Sequence, residues 1–264
     1  MLRDLTRKPG AFDGLGFRLR GLEMTRLETL VDAAFAFSIT MLALSADRVP
    51  TTFEQMYDLL RGIPAFLFSL AMLLLFWHGH VVYSRRYGLD DGPTTFLSGV
   101  LVAVMLVYVY PLKFMATAFF AFYIPPLRTV DYLTKGTTND LSIMFITMSG
   151  GFVLLNLVFI ALEWHALRRA DELELTAHER RVARCEITAQ SIYLGVGALS
   201  VVLAIVLRNS IAVISAGFIY AVLGVLIPLY WLRFGPSKAQ IQAQIQASPG
   251  NEMVDQAIRG STNR

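Results

Sequence analysis

The chain has 264 residues, of which 55% are hydrophobic, 12% aromatic and 16% charged, and its mean hydropathy is +0.53. Soluble domains carry about 25% charged residues, so this composition argues against a soluble enzyme, a free nucleic-acid-binding protein or a disordered chain. The single cysteine excludes an intrachain disulfide framework and a cysteine-rich zinc site. The net charge of +3 says less than the positions of the charges, because those positions orient a membrane protein.

Six apolar segments are each long enough to cross a bilayer. A hydrocarbon core of roughly 30 Å needs about 20 apolar residues in a helix. The candidates cover residues 30–46, 62–83, 94–112, 141–162, 187–207 and 211–232, and the third stays apolar to Tyr123, interrupted by Pro111 and Lys113. Because lipid offers no hydrogen-bond partners, such segments are expected to be helical. The predicted fold class is an all-α polytopic integral membrane protein.

The chain divides into three predicted parts around these segments. Residues 1–25 form a polar N-terminal segment without the apolar region of a secretory signal. Residues 26–235 form the six-helix transmembrane domain, and residues 236–264 form a polar tail that is either a short surface helix or disordered. Residues 163–186 mix acidic and basic side chains and are predicted to be a cytoplasmic helical linker with internal ion pairs.

Positive charge is distributed unevenly between the two ends of the predicted bundle. Seventeen Lys and Arg residues lie before the first segment, after the sixth, and in the loops after the second and fourth segments, against five in the opposite loops. Cytoplasmic loops carry the excess of Lys and Arg. We therefore expect both termini to be cytoplasmic and the protein to lie in the cell (inner) membrane.

The first apolar segment contains one charged side chain, Asp32. An intramembrane carboxylate is costly and is a functional-site hypothesis by default. Because Asp32 lies near the start of the helix, where an anion is favoured, we favour a structural role over direct ion contact. Its expected partners are Arg26, a histidine or free backbone N–H groups, and His80 of the second segment is the histidine that we expect to pair with Asp32 or Arg26.

Large apolar residues recur further along the first segment. Phe37, Met41 and Leu44 share one face of a helix at spacings of four and three residues, and Thr40 lies beside them. Such a face is typical of buried packing. It is also compatible with the lining of a pore that has an apolar narrow point.

No pattern of a metal or catalytic site appears. His78 and His80 are two residues apart and project about 200° from each other on a helix, so they cannot hold one ion. We find no nucleophile–base constellation, phosphate-binding loop or His-Glu-x-x-His helix. The sequence therefore predicts no enzyme, no metal and no cofactor. The basic residues flank membrane segments, which accounts for them without nucleic acid.

The first two segments carry polar residues at particular positions. The first begins Arg26-Leu-Glu-Thr-Leu-Val-Asp32 and continues through small and apolar residues to Thr40, and the second ends in Trp77-His-Gly-His80. These features resemble the transmembrane-protein-175 family of lysosomal and prokaryotic potassium channels. The first helix of that family begins Arg-x-x-x-Phe-Ser-Asp, and its second carries Trp-x-x-His. The resemblance covers residues 24–115.

The resemblance implies a homotetrameric, potassium-preferring cation channel, with the bilayer, potassium ions and other copies of the chain as partners. Each chain would supply one six-helix repeat, and the first helices would line a central pore. The implied constriction is Phe37, where the family usually has Ile, followed by Met41 and Leu44, with Thr40 as the polar position. The implied packing network consists of Arg26, Asp32, Trp77 and His80.

Two other functions fit the sequence. A proton- or cation-coupled secondary transporter would use Asp32 and His80, and it would be expected to show an inverted repeat, which the sequence does not display. The second alternative is a membrane protein that resembles a channel but does not conduct. It fits because four Phe37 rings at a narrow point are bulkier than four Ile side chains.

Overall fold

A computed structural model describes residues 11–45, 49–127, 137–207 and 215–247. These residues are mostly helical, in the order α1 (Arg26–Leu44), α2 (Phe53–Tyr87), α3 (Gly92–Tyr123), α4 (Thr138–Arg168), α5 (Ala177–Val206), α6 (Ser215–Phe234) and α7 (Lys238–Gln246). A 3-10 turn, Pro125–Leu127, follows α3. Within the described ranges the only β pairing is one isolated bridge between Phe12 and Arg18. The predicted all-α fold class is confirmed.

Helices α1 to α6 are long and apolar enough to cross a membrane, and they correspond to the six predicted segments. Residues 211–214, the predicted start of the sixth segment, lie outside the described residues. Several helices are longer than predicted. Helix α2 has 35 residues, or about 52 Å at 1.5 Å per residue, so it extends beyond a hydrocarbon core of roughly 30 Å. Hydrophobicity marks only the part of each helix in lipid.

Side-chain caps set the starts of these helices. The side chains of Thr52, Asp91, Thr137 and Thr176 each accept a hydrogen bond from the backbone N–H three residues later. Helix α3 also runs without a break through Pro111 and past Leu112, the predicted end of its segment. A proline inside a membrane helix is tolerated when its surroundings satisfy the freed backbone groups.

Helix α3 lies at the centre of the bundle and contacts α1, α2 and α4. Its side chains Leu101, Met105 and Tyr108 are buried. Helix α4 approaches closely because Gly151 faces the Tyr108 ring, where a Cβ atom would overlap with it. Helix α5 packs on α4, and α6 packs on α5. Polar contacts join these three helices, since Ser149 and Ser200 are hydrogen-bonded at 2.8 Å and Ser200 donates to the Ala216 carbonyl.

The charged stretch at residues 163–186 differs from its prediction. It is not a separate helical linker, because α4 continues to Arg168, α5 begins at Ala177, and a short turn joins them. The predicted ion pairs are confirmed. Arg169 pairs with Glu172 and Arg180 pairs with Asp171, both at 2.6 Å. The polar tail, for which the sequence left two possibilities, forms helix α7 in its described part.

Residues 11–22 of the N-terminal segment fold back onto the bundle. Its turn is held by the Asp13 carboxylate, which accepts hydrogen bonds from the backbone N–H groups of Leu15 and Phe17. Phe17 is fully buried and meets the Tyr87 ring edge-on at 5.3 Å. Gly88 closes α2 with φ +60°, and a Cβ atom there would lie 3.1 Å from the Arg20 carbonyl carbon, so this close approach requires glycine.

A buried ion pair fastens the N-terminal segment to α5. The two Arg20 terminal nitrogens donate to the two Glu179 oxygens at 3.0 and 2.8 Å, and the side chains are 3% and 0% exposed. The Arg18 backbone N–H also donates to Glu179 at 2.9 Å. Such a bidentate pair is strong and directional. The segment that leads into α1 is therefore fixed to the turn between α4 and α5.

Replacing Glu179 by glutamine tests this fastening. Removing one partner of a buried pair leaves an uncompensated charge, so Glu179→Gln should destabilise the fold by about 3–5 kcal/mol. The matched control is Glu174→Gln, because the Glu174 pair with Arg18 is 3.8 Å long and its carboxylate side chain is 76% exposed. That change should cost less than about 1 kcal/mol. Thermal unfolding of the detergent-solubilised protein measures both, and equal losses would contradict the assignment.

Candidate functional site

Helix α1 has two different faces. One face is buried against the rest of the chain and consists of Val31, Phe35, Ser38 and Leu42, which are at most 2% exposed. Their spacing of four, three and four residues keeps them on one side of the helix. The opposite face is open, and its exposed residues in the second half of the helix are Ala36, Phe37, Thr40, Ala43 and Leu44. Phe37 is 56% and Leu44 is 74% exposed.

The residues predicted for a constriction lie on or beside this open face. Phe37, Thr40 and Leu44 are exposed, whereas Met41 lies at the edge and is half-buried. The Tyr110 hydroxyl of α3 donates to the Met41 sulfur at 3.8 Å. The alternative of buried packing within the chain is therefore wrong for Phe37, Thr40 and Leu44.

Thr40 places a hydroxyl oxygen on the open face. Its hydroxyl donates to the Ala36 carbonyl one turn earlier, at 3.0 Å. The lone pairs of the Thr40 oxygen are the groups left to meet a cation or water. Helix α1 contains two carboxylates, Glu28 and Asp32, and both lie nearer its start than Phe37, so its second half has no acidic side chain.

Asp32 joins α1 to α2. Its Oδ1 atom accepts a hydrogen bond from the Trp77 indole N–H at 2.8 Å. The expected pairing of Asp32 with Arg26, a histidine or backbone N–H groups is therefore wrong. Two members of the predicted network, Asp32 and Trp77, are in direct contact. This contact is consistent with a structural role, since an indole N–H that is buried needs an acceptor.

His80 has a different partner from the one expected. It is 1% exposed, and its Nε2 atom lies 3.0 Å from the Ser98 hydroxyl of α3. His80 follows Trp77 by three residues on α2, and its Nε2 atom contacts α3. The predicted pairing of His80 with Asp32 or Arg26 is wrong as a hydrogen bond, although the Asp32 carboxylate lies near enough to interact with His80 electrostatically. Arg26 is exposed in the first turn of α1 and has no hydrogen bond or ion pair with the described part of the chain.

Several contacts of charged side chains at the end of α2 could not be predicted from sequence. Arg86 donates to Asp13 at 2.7 Å and to Glu186 at 3.2 Å. The Tyr87 hydroxyl donates to the buried Glu163 carboxylate at 2.6 Å. The chain carries these groups far apart in sequence. The sequence signal for these contacts was the mixture of basic and acidic residues in the loops. Such a mixture indicates ion pairs but does not identify the partners.

Asp91 connects the loop before α3 to the end of α4. Its carboxylate contacts His165 at 2.7 Å and Arg169 at 2.5 Å. Burial alone raises the pKa of Asp91, but hydrogen bonds from Thr94 and His165 outweigh it and hold that pKa well below its usual range. Asp91 is therefore a permanent anion at this end of the bundle. Across the described residues, no three His, Cys, Asp or Glu side chains form a group that could hold a metal ion.

Comparisons with known proteins agree with this architecture. The family model for the endosomal/lysosomal potassium channel TMEM175 matches residues 26–111. A Marivirga tractuosa protein named as a potassium channel is 32% identical over 210 residues, which cover 77% of this chain and 85% of that protein.

Two solved structures share the fold. The crystal structure of a variant of the potassium channel MtTMEM175, in complex with a nanobody–MBP fusion, matches with a TM-score of 0.74 and 28% identity, covering 84% of this chain and 97% of that one. A lysosomal potassium-selective channel TMEM175 homologue from Chamaesiphon minutus matches with a TM-score of 0.51 and 21% identity, over 80% and 97% of the two chains. The second likeness supports the fold alone.

These findings extend the motif resemblance from the first three helices to most of the chain. They confirm a multi-pass membrane protein, and they confirm that the chain is not an enzyme, since the matched family consists of channels. The curated relative is above 30% identity and most of its length is covered. The chain belongs to the TMEM175 family of potassium channels.

Proposed function

We propose that four copies of the chain assemble into a potassium-preferring cation channel whose central pore is lined by α1. The observation that carries this proposal is the division of α1 into a buried face and an open face. A helix that packs inside its own subunit on one side and presents apolar and hydroxyl groups on the other is suited to line a shared axis. The relatives named as potassium channels support the choice of ion.

Symmetry supplies the rest of the pore wall. One subunit offers one open α1 face, which covers only part of the circumference of a pore. Closed rotational symmetry repeats the same face around an axis and turns each exposed residue into a ring. The assembly consists of copies of the chain in a lipid bilayer and needs no cofactor and no nucleic acid.

The proposed constriction is a ring of Phe37 side chains, followed by rings of Met41 and Leu44. Apolar narrow points gate channels because they exclude water. No carboxylate lies in the second half of α1, so selection depends on the width of the constriction, on the Thr40 oxygens and on the cost of dehydrating the ion. The π face of an aromatic ring also attracts a cation, which distinguishes Phe37 from an aliphatic residue.

The arginine-rich end of the bundle is proposed to face the cytoplasm of a cell whose inner membrane holds the protein. Contacts gather the start of α1, the end of α2, the start of α3 and the turn between α4 and α5 at one end. The arginines of these segments therefore lie on one side of the membrane, and a positive excess marks the cytoplasmic side. Both termini would then be cytoplasmic.

The structure does not favour a coupled transporter. That function would use Asp32 and His80 as a joint proton or ion site. Their hydrogen bonds instead go to Trp77 of α2 and Ser98 of α3 respectively. A non-conducting protein is the remaining competitor, and a flux measurement distinguishes it from a channel.

Ion flux through reconstituted protein tests the channel and its constriction together. In liposomes the wild type should carry potassium faster than sodium. Phe37→Ala should increase the flux several-fold, because truncating the ring widens and wets the narrow point. The matched control is Phe96→Ala, a truncation of an aromatic residue that is 71% exposed on α3, and this control should leave the flux unchanged. Absence of flux in the wild type and in both variants would indicate a non-conducting protein. Equal flux in wild type and Phe37→Ala would contradict the proposed constriction at Phe37.

Cysteine crosslinking tests which face of α1 meets the axis. The background is Cys185→Ser, since Cys185 is the only cysteine in the chain. In that background, oxidation or a short bifunctional thiol reagent should link Phe37→Cys and Leu44→Cys between subunits. Ser38→Cys is the control, because Ser38 is fully buried on the opposite face and the change is small. Links at Ser38→Cys with none at the other two positions would reverse the orientation.

Asp32 is proposed to hold α1 in place instead of selecting ions. Asp32→Ala removes the acceptor of the Trp77 indole, so it should destabilise the oligomer by about 1.5–3 kcal/mol, the range for a hydrogen bond to a charged group. Asp32→Asn keeps an oxygen at that position and should lose less. Size-exclusion profiles after heating measure the oligomer, and the reversal potential measures selectivity. A stable oligomer with lost cation preference would contradict the structural role.

A further inference from the structure

A cavity of about 220 Å³ opens where α4 ends and α5 begins. Its lining combines one aromatic ring, two aliphatic side chains and three guanidinium groups, from Trp164, Leu167, Arg168, Ala170, Arg180 and Arg184. Both helices cross the membrane, so the cavity lies near the membrane surface at the arginine-rich end. It is separate from the open face of α1.

The guanidinium groups around this cavity exceed their acidic partners. Arg168 stacks on the Trp164 ring at 3.5 Å and forms no ion pair with the described residues. Arg184 is exposed and also has no ion pair within the described ranges. Arg180 donates to the Asp171 carboxylate at 2.6 Å, and Asp171 is 95% exposed. Among the described contacts, the three guanidinium groups thus have one carboxylate partner, the solvated Asp171 bound by Arg180.

Neighbouring arginines of the same region are already satisfied. Arg169 pairs with Asp91 and Glu172, and Arg181 donates to the Phe234 carbonyl. The general excess of positive charge at this end accounts for the number of arginines, but not for unpaired guanidinium groups that border one cavity. An anion from outside the chain would satisfy these groups.

The uncharged residues that line the cavity indicate which class of anion fits it. Leu167 and Ala170 provide an aliphatic side beside the guanidinium groups. Trp164 is 52% exposed, and tryptophan concentrates at the level of lipid headgroups. Guanidinium groups bind phosphate oxygens in a bidentate manner. A ligand with a phosphate at one end and an acyl chain at the other satisfies both sides of the cavity.

We propose that this cavity binds the headgroup of an anionic phospholipid. Arg168 and Arg184 hold the phosphate, Arg180 adds positive charge, and Trp164 packs against the glycerol and the first acyl carbons. Basic pockets between membrane helices are known places for such headgroups. The inference rests on the membrane location of the chain and does not depend on potassium conduction, so the two proposals fail independently.

Native mass spectrometry of the delipidated full-length protein tests the site with dioleoylphosphatidylglycerol as the probe. Dioleoylphosphatidylcholine and inorganic phosphate are the comparison ligands. The double variant R168Q/R184Q removes two guanidinium groups at the cavity. The control R61Q/K238Q removes two positive charges elsewhere, on exposed residues of α2 and α7. Equal unfolding temperatures without lipid confirm that both variants fold.

We expect the phosphatidylglycerol to bind more tightly than the phosphatidylcholine, and R168Q/R184Q to weaken it about tenfold or more. The control variant should bind like the wild type. Equal binding of the two lipids, or equal binding by R168Q/R184Q and the control, would overturn the site. Displacement of the lipid by an equal concentration of inorganic phosphate would assign the cavity to free phosphate and overturn the lipid assignment.

Discussion

One face of α1 packs against its own subunit and the other does not, and the proposed pore depends on this division. The buried side is formed by Val31, Phe35, Ser38 and Leu42. The open side carries Phe37, Thr40 and Leu44, which are exposed. In a membrane the hydrophobic effect does not force such a face inward, because lipid is equally apolar. The face is therefore free to line the proposed axis between subunits.

The entry of α1 into the bundle is fixed from its N-terminal side. The Arg20 and Glu179 pair joins residues 159 positions apart in sequence, and the backbone N–H groups of Arg20 and Gly21 both donate to the Arg85 carbonyl. The Asp32 bond to Trp77 adds a contact between α1 itself and α2. Together these interactions hold the segment before α1 against α2 and α5, and the first turns of α1 against α2, which makes the orientation of its open face a property of the whole subunit.

Hydrophobicity alone predicted the six spanning helices, because a helix needs a stretch of about 20 apolar residues to cross a bilayer. It missed the polar ends, such as the start of α2 at Phe53, because caps and ion pairs set those ends. The importance of Asp32 was evident from the sequence, because it is the one charged residue of the first apolar segment. Its partner was not evident, because the choice between Trp77 and His80 depends on the rotation of α2. The Arg20 and Glu179 pair was equally hidden, since charge patterns do not encode contacts between distant residues.

The most direct measurement of the central claim is an electron cryo-microscopy map of the full-length protein in lipid nanodiscs without imposed symmetry. We expect four subunits around one axis, with the Phe37 and Leu44 side chains of each α1 directed at that axis. Density that places the open face of α1 against lipid, or a particle that holds a single subunit, would contradict it.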